Sequence, residues 1–221
     1  MTLLLTSAGI TNKALESTLL QMLNKPFSEA SVVFVPTASN IEKGDKTWLI
    51  DNLVQLKRLN FKQIEIADIS AVPESIWKPK LQEADVMFFG GGDPNYLMEW
   101  FNKTNMTNIL SELLKSKIYV GISAGSMVTN PDLSLKASQE LYGEDLTRTE
   151  NMKGLGLVDF YFFPHLNSEY FINLRKEKIE SLSKQLKGKI YAADDESAVM
   201  VVDGKVEIVG EGECLMFNDV V

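Results

Sequence analysis

One histidine, His165, and one cysteine, Cys214, are all that 221 residues contain of two common transition-metal ligands. This scarcity excludes a zinc site of the usual nitrogen and sulfur ligands built from one chain. A lone cysteine also excludes an internal disulfide and fits a reducing compartment. No apolar run approaches the ~20 residues that span a bilayer. The opening Met1-Thr2-Leu3-Leu4-Leu5-Thr6 lacks the basic segment of a secretory signal and leads straight into a strand-like pattern, so a cytoplasmic protein is expected. In such a protein the sequon Asn102-Lys103-Thr104 has no meaning. Basic charge is short as well: 22 Lys and Arg stand against 30 Asp and Glu, for a net charge of −8, which argues against nucleic acid as a partner.

What is present is an ordinary globular composition, 45% hydrophobic and 24% charged, long enough for one α/β domain over residues 1–221. Short apolar runs alternate with amphipathic segments. Strands are expected at 3–6, 31–36, 63–69, 85–89, 118–121, 160–163 and 189–193. Helices are expected at 12–23, 46–59, 73–83, 96–101, 109–114 and 169–186. The alternation predicts a doubly wound, mostly parallel sheet with helices on both faces. Residues 199–209 read as a C-terminal β-hairpin around the turn Asp203-Gly204. Residues 129–153 are polar and hold Pro131, Asp132 and Gly143, which predicts a long loop, and loops of that length are often functional.

Three strand ends carry chemistry. Gly121-Ile122-Ser123-Ala124-Gly125 fits the G-x-S-x-G pattern, in which a strand turns sharply into a helix and exposes a serine hydroxyl. The alternative is a tight turn that happens to contain serine. The strand before and the helix after favour a nucleophile, with helix N–H groups near a developing oxyanion. Gly90-Gly91-Gly92-Asp93-Pro94-Asn95 also closes a strand; it has Asn95 where a dinucleotide fingerprint needs glycine, so Gly92 is expected to supply an oxyanion donor. His165 follows the apolar strand at 160–163. As the chain's one imidazole it is the candidate base, expected on the same sheet edge as Ser123. An acid is needed to orient it. Asp194, Asp195 and Glu196 follow the strand at 189–193, and Asp132 and Asp145 in the long loop are rivals. Cys214 reads as packing.

In order and spacing these motifs, with Ser197-Ala198-Val199-Met200-Val201 after the acidic turn, make the sequence similar to the peptidase E–cyanophycinase family of serine peptidases over most of its length. The resemblance implies a fold like that of the class I glutamine amidotransferases, with serine in place of their cysteine. It implies Ser123 as nucleophile, His165 as base, and oxyanion donors from the N–H groups of Gly92 and Ala124. It places the acid at Asp195, with Glu196 one residue off. Peptidase E removes N-terminal aspartate from dipeptides and holds its carboxylate with an arginine, which Arg175 matches in position along the expected helix. Two features depart from peptidase E: the long loop after Ser123, and Asp93-Pro94 where it has Asn-Thr.

The sequence thus reads as a dipeptidase E-like serine exopeptidase acting on short peptides, without metal or cofactor, as a monomer or homodimer. The alternatives are a cyanophycinase-like β-aspartyl peptide hydrolase, an esterase, or a non-catalytic binding protein of the same fold. An α/β-hydrolase esterase would run Ser, acid, His, with the His near the C-terminus; here 56 residues follow His165.

Overall fold

The computed structural model describes residues 1–144, 147 and 149–219. Seven strands form the central sheet: β1 (Thr2–Thr6), β2 (Ser31–Val35), β3 (Gln63–Ile66), β4 (Val86–Phe89), β5 (Ile118–Ile122), β10 (Ser197–Val202) and β11 (Lys205–Gly210), in the order β11-β10-β1-β5-β4-β2-β3. The five strands β1, β5, β4, β2 and β3 are parallel, and the β10–β11 hairpin adds antiparallel to β1. Strands β1, β2, β4 and β5 are almost wholly apolar and buried, as strands covered on both faces must be.

Alternate side chains of these strands feed two cores. Leu4, Val32, Phe34, Phe88 and Val120 pack under α1 (Lys13–Leu23) and α2 (Thr47–Leu59). Leu3, Leu5, Val33, Met87, Phe89 and Tyr119 pack on the other side, with α3 (Glu74–Glu83), α4 (Pro94–Lys103), α5 (Met106–Leu113) and α6 (Ala124–Met127). Asn12 caps α1 by accepting from the Leu15 N–H at 3.0 Å, and Asp93 caps α4 by accepting from Asn95 and Tyr96. Among the described residues no helix is long and apolar enough to cross a membrane.

Three expectations are corrected. The strands at 160–163 and 189–193 do not join the central sheet. As β8 (Tyr161–Phe163) and β9 (Ile190–Ala193) they form a second sheet with β12 (Cys214–Phe217), in the order β12-β9-β8. One face of this sheet, through Tyr191 and Ala193, joins the core under β1 and β5; the other, through Tyr161, Phe163, Ile190 and Ala192, covers a third core. His165 therefore sits at the end of a strand in a different sheet from Ser123.

The segment 129–153 is not a loop throughout. It holds β6 (Asp132–Leu133), α7 (Leu135–Tyr142) and β7 (Met152–Lys153). Ser134 caps α7 through the Ala137 N–H at 3.2 Å, Gly143 ends it in the left-handed region, and Ala137 and Leu141 are buried in the third core. Pro131, Asp132 and Gly143, which suggest a loop, mark the ends of short elements. Conversely, the helix expected at 169–186 is only α8 (Lys176–Ser183). Phe171 and Leu174 continue its apolar pattern, but the backbone there is a loop.

The junction of β5 and α6 has no room to spare. A Cβ on Gly125 would lie 1.9 Å from the Phe89 carbonyl oxygen, a backbone atom that cannot swing away. Gly125→Ala is expected to lower unfolding stability by about 3 kcal/mol, read as an earlier urea midpoint at unchanged slope. An unchanged midpoint would contradict this close approach.

Candidate active site

Ser123 stands between β5 and α6 with φ 49° and ψ −109°, a conformation far from the wells that residues with a Cβ prefer. Its neighbours hold it there. The Ser123 N–H donates to the Thr6 carbonyl at 3.0 Å, and its own carbonyl accepts from Ser126 and Met127 at 2.8 and 2.9 Å. The Ser126 hydroxyl donates to the Thr6 carbonyl and accepts from the Thr6 N–H, so the end of β1 grips the turn from both sides. The buried Tyr119 hydroxyl donates to the Gly125 carbonyl at 2.6 Å. The turn thus projects the Ser123 side chain away from the sheet.

His165 also has a positive φ, 68°, at the end of β8. Its N–H donates to the Ser7 hydroxyl at 3.0 Å, and that hydroxyl donates to the Ala193 carbonyl, joining the ends of β1, β8 and β9. The imidazole Nε2 lies 2.9 Å from Ser123 Oγ and Nδ1 lies 2.6 Å from Asp195 Oδ1. A neutral imidazole with its proton on Nδ1, facing the carboxylate, leaves Nε2 free to accept from the serine hydroxyl. The imidazole is 16% exposed and the Asp195 side chain 46% exposed.

The rival acids are engaged elsewhere. Asp194 accepts from the Glu196 and Glu213 N–H groups at 3.0 and 2.6 Å and so shapes the turn that presents Asp195. The Glu196 carboxylate accepts from Asn12 Nδ2 at 3.0 Å. Asp132 accepts from the Tyr161 hydroxyl and from Asn151, both at 2.9 Å. Burial and this contact with Asp132 push the Tyr161 hydroxyl up to about 12. Asp145 lies outside the described residues.

The glycine loop after β4 runs beside the serine turn because β4 and β5 are neighbours. A Cβ on Gly91 would come within 3.4 Å of Ser123 Cβ and 3.5 Å of the Trp48 ring. Gly92 has φ +127°, and a Cβ there would meet the Ala38 carbonyl at 2.2 Å. Neither the Gly92 nor the Ala124 N–H has an acceptor among the described residues. Helix α6 is a single turn, so what it offers an anion is the individual N–H groups more than a macrodipole. Arg175 is the residue before α8. Its Nη2 donates to the Ser168 carbonyl at 2.9 Å, and its Nη1 to the Leu174 and Phe171 carbonyls at 3.0 and 3.4 Å. No group of three or more His, Cys, Asp or Glu among the described residues is placed to hold a metal ion.

The site contains residues that the sequence reading did not single out. Ser7 follows β1 and carries no local motif of its own. Phe171, whose ring stacks on His165 with centroids 5.1 Å apart, and Tyr142, set edge-on to Phe171, come from segments with no local motif.

Comparison with known proteins yields matches across most of the chain. The family model described as Peptidase family S51 matches residues 3–209. The uncharacterized peptidase Lmo0363 of Listeria monocytogenes is 27% identical over 176 residues, which span 77% of this chain and 82% of that one. Peptidase E of Shewanella oneidensis is 26% identical over 137 residues, 62% of this chain and 53% of that protein. A crystal structure of a protein from Listeria monocytogenes EGD-e superposes with a TM-score of 0.76 at 24% identity, covering 96% of this chain and 98% of the other. A peptidase from an acI-B1 Actinobacterium gives a TM-score of 0.71 at 19% identity, over 96% and 88%.

The chain's one thiol lies beside the acidic turn, where Cys214 pairs with Ala193. Burial, and then the charges of Asp194 and Glu213, push the Cys214 thiol up to about 12. A raised thiol pKa favours the neutral form, so near pH 8 the thiolate that reacts is scarce. Iodoacetamide at pH 8 is expected to spare Cys214 in the folded protein while alkylating the urea-unfolded chain fully. Equal rates by mass spectrometry would contradict the burial.

Proposed function

The chain belongs to peptidase family S51 and is a serine-type peptidase, a hydrolase, and on that premise we propose that it is an exopeptidase for short peptides that works through Ser123, His165 and Asp195. The observation that carries the reading is the unbroken run of two short contacts, Asp195 to Nδ1 at 2.6 Å and Nε2 to Ser123 Oγ at 2.9 Å. A serine hydroxyl is a poor nucleophile until a base takes its proton. In this reading His165 accepts that proton at Nε2 as Oγ bonds to the scissile carbonyl carbon. Asp195 holds the tautomer and stabilises the imidazolium that forms. The carbonyl electrons move to oxygen, and the N–H groups of Gly92 and Ala124, without acceptors among the described residues, receive that charge. The imidazolium then protonates the leaving amine as the C–N bond breaks. Water, deprotonated by His165, hydrolyses the acyl-serine and restores the hydroxyl.

The finer part of the reading is a dipeptidase with a preference for N-terminal aspartate. It is supported by the resemblance to peptidase E, in which Arg175 matches the carboxylate-binding arginine, and by an Nε–H and a remaining Nη2–H that have no acceptor among the described residues. A substrate carboxylate could take both in a charge-assisted pair. The reading also takes the chain as one domain and, with its one reduced cysteine, as cytoplasmic.

Ser123→Ala is expected to lower kcat for dipeptides by on the order of a million-fold with the fold retained. Near-normal turnover by that variant, free of contaminating peptidase, would remove Ser123 from the mechanism. Asp195→Asn is expected to cost about a thousand-fold or more, because an amide can donate to Nδ1 and favour the wrong tautomer, while Glu196→Gln costs less than tenfold. The reverse ranking would move the acid to Glu196. In a dipeptide panel, Asp-X cleaved no faster than Leu-X or Ala-X would remove the aspartate preference and leave a general short-peptide hydrolase.

A further inference from the structure

We propose that Phe171 is a positioning residue for His165, seated by a loop that Arg175 holds closed; the inference rests on reading His165 as the base. The imidazole is fixed along its edge by two hydrogen bonds, one at Nδ1 and one at Nε2. The side chain can still swing out by rotation about its Cα–Cβ and Cβ–Cγ bonds, which would lengthen both contacts. A flat surface against the face of the ring resists that swing. Phe171 supplies the surface, with a centroid separation of 5.1 Å and an interplanar angle of 25°. The same surface acts more strongly in the transition state, because an imidazolium over an aromatic face is attracted by the ring's quadrupole and a neutral imidazole much less so. An interaction that grows as charge develops raises kcat and leaves substrate binding nearly unchanged.

In the loop that carries Phe171, Leu174 is fully buried in the third core and Phe171 packs against it, while Tyr170 and Ile172, on either side of Phe171, are 86% and 71% exposed. Polar contacts add to that anchor. The Asn167 N–H donates to the Leu174 carbonyl at 2.8 Å, and the Leu174 N–H to the Phe171 carbonyl at 3.0 Å. Across this ring of backbone lies the Arg175 guanidinium, bound to the carbonyls of Ser168, Phe171 and Leu174. On the other side Tyr142 meets Phe171 edge-on at 5.5 Å, and its hydroxyl donates to the carbonyl of Pro164, the residue before His165. Tyr142 ends α7, so the segment between Ser123 and His165 in the chain buttresses the imidazole from behind. Arg175 thus acts on the base through the loop, whatever else its remaining N–H groups bind.

The test is steady-state kinetics of the full chain on Ala-X and Asp-X dipeptides, with thermal midpoints recorded in parallel. Phe171→Leu is expected to lower kcat about tenfold on both substrates while KM stays within about twofold. Phe171→Tyr, which restores the aromatic face, is expected to restore kcat. A Phe171→Leu enzyme with unchanged kcat would overturn the proposal, and so would a loss that Phe171→Tyr does not rescue. Arg175→Gln is expected to lower kcat on Ala-X as much as Phe171→Leu does, and the double variant to be no worse than the worse single one. A loss confined to Asp-X substrates would overturn the role of the loop tie. Ser123→Ala measured alongside separates the two levels: turnover by that variant would refute the nucleophile reading itself, whereas the Phe171 series fails or stands on an enzyme whose Ser123 dependence is established.

Discussion

A serine at φ 49° and ψ −109° is in a conformation that costs about 1–3 kcal/mol, and most of what surrounds it here serves to impose it. The grip is made of backbone and short polar side chains rather than of bulk. The Thr6 carbonyl takes both the Ser123 N–H and the Ser126 hydroxyl, and the Tyr119 hydroxyl ties down the Gly125 carbonyl. Gly125 must be glycine because the Phe89 carbonyl occupies the space of a Cβ. These contacts come from β1, β4 and β5, the buried centre of the sheet, so the strain is sustained by buried backbone. Release of the turn would carry Oγ away from Nε2 and leave the imidazole without its partner.

The other half of the site is built differently. His165 and Asp195 follow strands of the second sheet, and one link between the two sheets is the Ser7 hydroxyl, which accepts from the His165 N–H and donates to the Ala193 carbonyl. A group of three side chains that must meet within hydrogen-bond distance is therefore set by where two sheets pack. The buried faces of Tyr191 and Ala193 against the central core fix that packing. Precision at the site follows from close packing in the layer beneath it, since interiors at this density transmit displacement.

What was legible in the sequence follows from how local each signal is. The serine turn is encoded in five consecutive residues, so its strand, turn and helix could be read directly. The imidazole was legible by elimination, because the chain has one. Local pattern left the acid open, because Asp194, Asp195 and Glu196 are adjacent and of one chemistry; only the family resemblance singled out Asp195. Only the fold shows that Asp194 spends its oxygens on the Glu196 and Glu213 N–H groups and that Glu196 turns to Asn12. Strand identity at 160–163 and 189–193 was legible, but which sheet they join is a matter of tertiary packing that no window of sequence contains. The α7 helix was hidden because it is short and mostly polar and is flanked by Pro131, Asp132 and Gly143, and the shortened α8 because Leu174 mimics a helical contact from a loop. Phe171 and Tyr142 carry no motif, since a stacking contact depends only on proximity.

The central claim is that Ser123 is a nucleophile activated by His165 and Asp195. The most direct measurement is covalent labelling by a fluorophosphonate, followed by intact-mass and peptide mapping. The account predicts one equivalent of label, on Ser123, formed quickly by the native chain and slowed by orders of magnitude when His165 is replaced by alanine. A native chain that takes up no label, or takes it on another residue, or labels Ser123 equally fast without His165, would contradict the account.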